Sequence, residues 1–308
     1  MRSRPRIVIV GSANTDMVVK TAHIPGPGET VIGSDFLIAA GGKGANQAVA
    51  AARLGAGVTL VARLGTDMFG EQAIAGYQRE GIDTTYIVRD AEHPSGIALI
   101  CVDAQGENSI AVASGANAHL TPFDVDRARQ SIADAHVLLV QLEVPLDAIR
   151  RAITIANDAG VRVILNPAPA REIDSRLLSQ VSVTTPNEHE VRIVAGELEQ
   201  AQAIRRMLDA GVETVLVTLG AQGVLWATRE TRQLVPAFPV QAIDTTAAGD
   251  AFNGGLAYGL GCGMPMAESI RYASAVAAIS VTRMGAQPSL PTGTEVFAFL
   301  AGKDQGSQ

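Results

Sequence analysis

The chain has 308 residues, of which 47% are hydrophobic, with a formal net charge of −7 and a pI near 5.3. A chain of this length can bury a large α/β core, and its apolar share excludes an intrinsically disordered protein. The acidic balance argues against a nucleic-acid partner, and Cys101 and Cys262, neither in a CxxC spacing, indicate neither a disulfide framework nor a zinc site.

The chain starts Met1-Arg2-Ser3-Arg4-Pro5, with the charge of a signal-peptide n-region, but the apolar run behind it, Ile7 to Val10, is too short for an h-region. No stretch approaches 18 uninterrupted apolar residues, so no membrane partner is expected and the expected location is cytoplasmic. Ile7–Gly11 reads as a short buried strand. The region from Met17 to Ile38 has β-type residues punctuated by Gly and Pro, with strands expected at Val18-Val19 and Thr30–Ile32. An Ala-rich helix is expected over Gly44–Leu54, a strand over Val58–Val61 and a helix around Gly70–Glu80. Ser95 to Ser114 is again β-rich, with strands at Ile97–Ile100 and Ser109–Val112.

Strand Val137–Val140, helix Leu146–Ala159, strand Val161–Leu165, strand Val181–Val183, helix Leu198–Ala210 and strand Thr214–Thr218 come next. Continuous β-branched runs between helices are the pattern of a parallel sheet covered on both faces. The two β-rich insertions, at about 15–39 and 95–114, can pair as a small sheet that either covers a site as a lid or meets a second subunit. The last residues, Gly302 to Gln308, read as a frayed tail.

The segment Asp244-Thr245-Thr246-Ala247-Ala248-Gly249-Asp250 precedes an apolar helix-forming run, Ala251 to Leu260. Small residues at a helix mouth let a ligand approach N–H groups that have no intrahelical partner and carry partial positive charge, which suits a phosphate oxygen. Asp250 would stand beside that anion as a base, or would simply cap its own helix; local sequence leaves both readings open. Other polar groups fall beyond strand ends, where open α/β sheets bind ligands. Asn14 and Asp16 follow the first strand. Gly41-Gly42-Lys43-Gly44-Ala45-Asn46 opens the first helix, and Glu143 follows Val137–Val140. Carboxylates that accept from hydroxyls, with Lys and Asn as donors, fit a small polyhydroxy ligand, although Asp16 as a turn residue and Gly41-Gly42 as a plain loop are equally available readings.

Asn187 and Glu190 occur in Thr185-Pro186-Asn187-Glu188-His189-Glu190. Glu190 suits magnesium held through water and Asn187 a phosphate oxygen, or both belong to an ordinary helix start. His189 reads as a solvated or packed histidine. Thr218-Leu219-Gly220-Ala221-Gln222-Gly223 either supports a nucleotide or turns into Val224-Leu225-Trp226. Neither GxGxxG nor GxxxxGK[ST] is present, which removes the main support for a Rossmann or P-loop site.

From about Ile7 to Leu300 the chain resembles the PfkB-type carbohydrate kinases, also called the ribokinase family. Gly41-Gly42-Lys43-Gly44-Ala45-Asn46-Gln47-Ala48 resembles the family's first signature, and Asp244 to Gly254 its second. Asn166-Pro167-Ala168-Pro169-Ala170-Arg171 and Gly285-Ala286-Gln287-Pro288-Ser289 add to the likeness.

The resemblance implies one α/β domain over 1–308: a ribokinase-like three-layer sandwich with a mostly parallel central sheet and a small β-sheet lid. It implies transfer of the γ-phosphate of ATP to O5 of D-ribose. Another sugar or nucleoside kinase of the same fold (2-deoxyribose, fructose), or a sugar-binding protein without catalysis, stand as alternatives. By match of position, Asn14, Asp16, Gly42, Lys43, Asn46 and Glu143 would contact the sugar, and Asp250 would be the base. Ala247, Ala248 and Gly249 would form the anion hole. Asn187, Thr218, Gly220, Gly223, Gly249 and Ser274 would meet the nucleotide, and Glu190 the Mg2+ network. An activating K+ would sit near Asp244, Thr246, Ser280, Arg283, Gly285 and Ser289, several of them through carbonyls. Ser274 and Thr246 depart from the residues commoner in the family. The lid would also join a homodimer.

Overall fold

Strand residues of this chain alternate between two apolar environments, as the two-residue repeat of a pleated strand requires. In strand β1 (Arg6–Val10), Ile7 and Ile9 enter one buried cluster, while Val8 and Val10 enter another. Leu139, Ile164 and Leu216 join the first cluster, and their neighbours Leu138, Val140, Val163, Leu165, Val215 and Val217 join the second. A sheet with two apolar faces has to be covered on both, and helices do so here.

The computed structural model describes residues 4–197 and 199–305. After β1 come β2 (Asn14–Lys20), β3 (Phe36–Gly41), α1 (Lys43–Arg53), β4 (Gly57–Gly65), α2 (Met68–Arg79), β5 (Ile87–Asp90), β6 (Gly96–Val102) and β7 (Asn108–Ala113). A 3-10 turn, Gly115–His119, leads to α3 (Pro122–Arg127), α4 (Arg129–Ala133), β8 (Val137–Val140), α5 (Leu146–Asp158) and β9 (Arg162–Leu165). The chain continues through α6 (Ser175–Leu178), β10 (Val183–Thr184), α7 (Glu190–Ala195), α8 (Gln200–Asp209) and β11 (Thr214–Thr218). It closes with β12 (Val224–Ala227), β13 (Arg232–Val235), α9 (Ala248–Gly261), α10 (Met266–Ser280) and α11 (Gly293–Gln305).

The central sheet runs β13-β12-β11-β10-β9-β8-β1-β4-β5, with parallel neighbours except at the β11–β12–β13 edge, which is antiparallel. Residues of α1, α9 and α10 cover one face, and α5 and α8 the other, so the molecule is a three-layer α/β sandwich. The chain leaves β1 toward β4 on one side and returns to β8 on the other. That reversal opens a crevice beyond the strands' carboxyl ends.

Both β-rich insertions feed a second sheet, ordered β3-β2-β6-β7. Its outer pairs are antiparallel, but β2 and β6 run parallel, with Asp16 opposite Ala39 and Ala98. The strand expected at Thr30–Ile32 is not there; the partner of β2 is Phe36–Gly41, and Ile32 is 91% exposed. Gly33 explains the shift. A side chain there would meet the Lys20 carbonyl at 2.8 Å, and the Ser34 N–H donates to that same oxygen, so pairing with β2 begins after Gly33. The helix expected over 198–210 is α8, with the separate α7 before it, and its expected first residue Leu198 lies outside the described residues. Of the expected frayed tail, residues up to Gln305 belong to α11, while 306–308, like the basic residues 1–3, lie outside the described residues.

The passage from β5 into the small sheet is anchored by charge. Arg63 on β4 donates to Asp90 at 2.7 Å and to Asp124 at 3.1 Å, and Asp90 also accepts from the N–H groups of Glu92 and His93. Both carboxylates are nearly out of water. Burial opposes the charge on Asp90, but the Arg63 guanidinium and the two N–H donors outweigh it and hold the carboxyl well below its usual range. Removing one partner of a buried pair costs about 3 kcal/mol or more, because the other charge is stranded. Arg63→Met should show that loss in urea unfolding at pH 7. A depressed carboxylate stabilises above its unfolded pKa and ceases to as pH falls toward its folded one, so the gap between the two proteins should narrow below about pH 4. An unchanged unfolding midpoint at pH 7 would remove this cluster from the supports of the fold.

Candidate active site

A cleft of about 640 Å³ opens at the crevice between β1, β8 and the small sheet. It is lined by Asn14, Lys43, Glu143, Asn187 and Glu190 from the expected set, joined by Ser12, Asn117, His189 at the exposed rim, Val112 of the small sheet and Ser114 just past it. Another hollow of about 650 Å³, between α8 and the β12–β13 turn, contains none of these residues. Its Arg229 is occupied with the Leu208 carbonyl.

The mouth of α1 is built from distant parts of the chain. Its N-cap, Gly42, lies at φ 87 and provides no side-chain cap; a Cβ there would meet the Asn14 N at 2.7 Å. Gly41-Gly42 is therefore a required close approach and not a plain loop. Glu143 supplies the missing acceptor. Its Oε2 takes the Lys43 N–H at 3.0 Å and a short bond from the Ser12 hydroxyl. A carboxylate at a helix N-terminus is favourable, and it offsets Lys43, whose charge is misplaced there. Asn14, which lines the cleft, accepts at Oδ1 from Asn117 Nδ2 at 2.7 Å, so the donors of its own amide are not needed for that bond. Asp16 lies over Gly41, where a Cβ would come within 2.2 Å of its carboxylate.

Asp250 is buried in the first turn of α9. It does not cap that helix; the N-cap is Ala247, at φ 58, the one non-glycine residue with positive φ among the described residues. A left-handed alanine costs roughly 1–2 kcal/mol and marks a constrained turn. Asp250 instead accepts from Asn46 Nδ2 at 3.0 Å and Gln47 Nε2 at 2.9 Å. Of the amides expected to face an anion, that of Ala248 donates to the Thr245 carbonyl at 3.2 Å. The first intrahelical bond is made by Ala251, and nothing lies within 4 Å of the place a Cβ would take on Gly249, so the turn has room for a ligand.

Charge unites the cleft. Burial raises the pKa of Asp16, and Glu143 and Asp250 add to it against Lys43, bringing it to about 6. Asp250 is raised by burial, against the opposing pull of Lys43, Asn46 and Gln47. Glu190 is raised for the same first reason. Lys43 is raised: burial works against its charge, but Asp250, Glu143, Glu190 and Asp16 prevail.

Asn187 and Glu190 bond each other's backbone. Asn187 Oδ1 accepts the Glu190 N–H at 2.8 Å, and Glu190 Oε2 accepts the Asn187 N–H at 2.9 Å. Their helix-start reading thus holds in the structure, while both still line the cleft. Thr218 donates its N–H to the Pro186 carbonyl, and Gly220–Gln222 is a 3-10 turn into β12. Gly223, at φ 108, packs where a Cβ would strike the Val235 carbonyl at 2.1 Å, so its lack of a side chain serves the turn. Ser274 is buried in α10 with its hydroxyl unpartnered and does not line the cleft.

Asp244 ties three segments together. It accepts from the N–H groups of Thr246 at 2.9 Å and Gly285 at 2.7 Å, and its own N–H reaches the Val281 carbonyl. Burial opposes its charge, but the Thr246 hydroxyl and these N–H groups keep its pKa low. The hydroxyls of Ser280 and Ser289 are spent on the Ala277 and Ala286 carbonyls, and Arg283 pairs with Glu295. Sequence reasoning gave no role to Ser12, Asn117 or Gln141, and none to Gln47, Asn166 or Asn253 beyond their motifs. A hydroxyl or amide near a strand end carries no signal until the fold shows which atom it meets.

The sequence profile of the pfkB family carbohydrate kinases matches residues 4–293. Ribokinase from Haemophilus influenzae is 45% identical over 302 residues, covering 96% of this chain and 99% of that protein. Deoxyribokinase from Salmonella typhi is 39% identical, over 96% of this chain and 98% of its own. The structure of Arabidopsis thaliana ribokinase complexed with ribose and ATP superposes with a TM-score of 0.89 at 32% identity, covering 96% and 99% of the two chains.

A buried carboxylate with a raised pKa detracts from stability once it ionises. Its neutral form favours the folded state at low pH, and that contribution is lost as pH rises through the folded pKa. Asp250→Asn should therefore raise the unfolding free energy at pH 8 by on the order of 1 kcal/mol. The gain should shrink as pH is lowered and Asp250 takes up its proton. Equal or lower stability of the variant at pH 8, measured by urea unfolding, would contradict the electrostatic account of this site.

Proposed function

The chain belongs to the pfkB family of carbohydrate kinases, and we propose that this sugar kinase transfers the γ-phosphate of ATP to O5 of D-ribose, giving D-ribose 5-phosphate, with Asp250 as base. The observation that carries the reading is the buried Asp250 carboxylate, clamped by Asn46 and Gln47 in the first turn of α9 beside an open glycine. It sits in the same electrostatic cluster as the cleft residues Lys43, Glu143 and Glu190. Ribose is favoured by similarity to ribokinases over nearly the whole chain. The likeness to a deoxyribokinase makes 2-deoxyribose the second reading.

In this account Asn14, Asp16, Lys43 and Glu143 hold the sugar, with Gly42 letting it approach the backbone. Asn46, whose Oδ1 is buried without a partner, orients the base. Asp250 takes the proton of the primary hydroxyl as the bond from O5 to the γ-phosphorus forms and the bond from that phosphorus to the bridging oxygen breaks, with ADP as the leaving group; a loose transition state needs little early deprotonation, so placement outweighs basicity. The turn Ala247-Ala248-Gly249 receives the transferred phosphoryl oxygens. Asn187, Thr218, Gly220 and Gly223 border the nucleotide, and Ser274 lies behind the adenine end.

Glu190 suits magnesium held through water, since magnesium keeps several waters and takes few carboxylates. That ion would neutralise phosphate charge in a site already acidic. A potassium ion fits near Asp244, Thr246, Ser280, Arg283, Gly285 and Ser289. Among the described residues no group of three or more His, Cys, Asp or Glu could hold a metal, so a cage there would rest on Asp244 and carbonyl oxygens, which suits a hard monovalent cation. The small sheet would close over the sugar and exclude water. Its outer face, with Phe36 65% and Leu99 56% exposed, would pair with a second copy of the chain. The enzyme would work in the cytoplasm on free ribose and ATP.

The direct test is phosphorylation of ribose, 2-deoxyribose, fructose and adenosine with ATP and magnesium. Ribose should give the highest kcat/KM, with the 5-phosphate as product. Asp250→Asn should lower kcat by about a hundredfold or more while sugar affinity stays within a few-fold. Preference for 2-deoxyribose would reassign the substrate, and an undiminished kcat would dismiss Asp250 as the base.

Asp16 gives the reaction a pH signature. Sugar hydroxyls donate to its ionised form, so binding should be full above pH 7 and fail as the carboxyl protonates below about 6. KM for ribose should rise by up to about tenfold per pH unit in that range, since the protonated form binds poorly. Asp16→Asn should have a high KM that does not vary between pH 5 and 7. The same pH dependence in the variant would show that another group is responsible.

A further inference from the structure

Behind the base, beyond the Gln47 bond that clamps it, a chain of buried side-chain hydrogen bonds continues into the protein. Gln141, just past β8, donates from Nε2 to Gln47 Oε1 at 2.6 Å. With its oxygen so fixed, Gln47 must present its NH2 group inward, and that group donates to Asp250 Oδ1 at 2.9 Å and to Asn166 Oδ1 at 3.0 Å. Asn166 Nδ2 reaches the Thr185 carbonyl at 3.3 Å, and the Thr185 hydroxyl donates to Asn253 Oδ1 at 2.7 Å. Asn253 Nδ2 ends the chain on the Gly249 carbonyl at 2.8 Å. Gln47 and Gln141 are fully buried.

An amide has two ends of opposite character, and reversing the Gln47 amide would turn an acceptor toward Asp250. An ionised Asp250 accepts only, so it takes the NH2 end of Gln47, and Gln141 supports that orientation by donating to the oxygen end, its own Oε1 being buried without a partner. Buried polar groups are costly unless satisfied, and a bonded chain of them fixes one arrangement. The chain draws on residues that follow β8, β9 and β10, and on α1 and α9, so it ties the ends of the central strands to the turn that holds the base.

We propose that Gln47, oriented by Gln141, is the positioning residue that keeps Asp250 ionised and aimed, and that Asn166, Thr185 and Asn253 link it to the carbonyl side of the Gly249 turn. This inference rests on Asp250 being the base of the reaction. Gln47 touches neither reacting oxygen in this scheme; it acts through Asp250. A donor lost from an ionised carboxylate raises its pKa, so the acidic limb of the pH–kcat profile should move to higher pH, because the base must be ionised to act.

The test uses Gln47→Leu, Gln141→Met and the double variant in the full chain. Gln47→Leu should lower kcat by about tenfold, the size of losing one hydrogen bond to a charged group and less than losing the base itself, and move the acidic limb up by about half a unit or more. Gln141→Met should reproduce a part of both effects, with ribose KM within about twofold, since the direct sugar contacts are intact. The double variant should be no worse than Gln47→Leu alone, because Gln141 acts only through Gln47. Carbon-13 NMR titration of the Asp250 carboxyl, which needs no turnover, should show the same upward displacement in Gln47→Leu. An unmoved carboxyl titration, or fully additive losses, would overturn the relay even if the kinase reading stands. Displaced titration with kcat unaffected by Asp250→Asn would refute Asp250 as base, and with it the positioning role. Should Gln47→Leu fail to fold, Gln141→Met and the same titration decide the matter alone.

Discussion

One ammonium group facing four carboxylates governs this site. Lys43 feels Asp250, Glu143, Glu190 and Asp16 together, and all of them have been drawn toward the protein interior. Removing ions from water is expensive, and one cation cannot repay it for four anions. The raised pKa values of Asp16, Asp250 and Glu190 are the visible form of that deficit. The hydroxyls of the proposed sugar would relieve these carboxylates, but the phosphates of a nucleotide would add negative charge. The proposed magnesium and the positive end of α9 would serve the charge balance as well as the chemistry.

The same groups also hold the fold together at the crevice. Glu143 lines the cleft and closes the start of α1, a helix that begins on a glycine with no capping side chain. Asn187 and Glu190 line the cleft and cap α7 through reciprocal bonds. A structural role and a binding role are not rivals for these residues. In each carboxylate the bonds to the helix start fall on one oxygen, Oε2. If these groups bind as proposed, the site is preorganised, because each is already fixed by the backbone it supports.

Much of this was legible from residues alone. Apolar β-branched runs such as Val137–Val140 and Thr214–Thr218 fall on strands with the expected bounds, since a strand buried on both faces leaves a continuous apolar signal. The glycines at 41–42 and the small turn at 247–249 were visible because close backbone approach admits only small residues. The Thr30–Ile32 segment misled because β-branched residues favour a strand, while the Gly33 contact with β2 decided where pairing begins. Ser12, Asn117, Gln141 and Thr185 had no legible role. Their meaning lies in which end of an amide or hydroxyl meets which atom, and that is settled only when β1, β8, β9 and β10 align side by side.

The small sheet couples two demands through its register. Asn14 and Asp16 alternate with Thr15 and Met17, so Asp16 shares the sheet face of Asn14, which lines the cleft, and Met17 stands in the row of Ile38 and Leu99 on the other side. A slip of one residue would carry Asp16 to the outer face and bring Met17 to the cleft side. Cross-strand pairing of Met17 with Ile38 and Leu99 works against that slip, more so if the apolar row is covered, since a covered row cannot accept a carboxylate. The proposed pairing with a second copy would thus do more than hide exposed surface. It would hold Asp16 in the only register that serves the sugar, linking the assembly of the protein to the geometry of its substrate site.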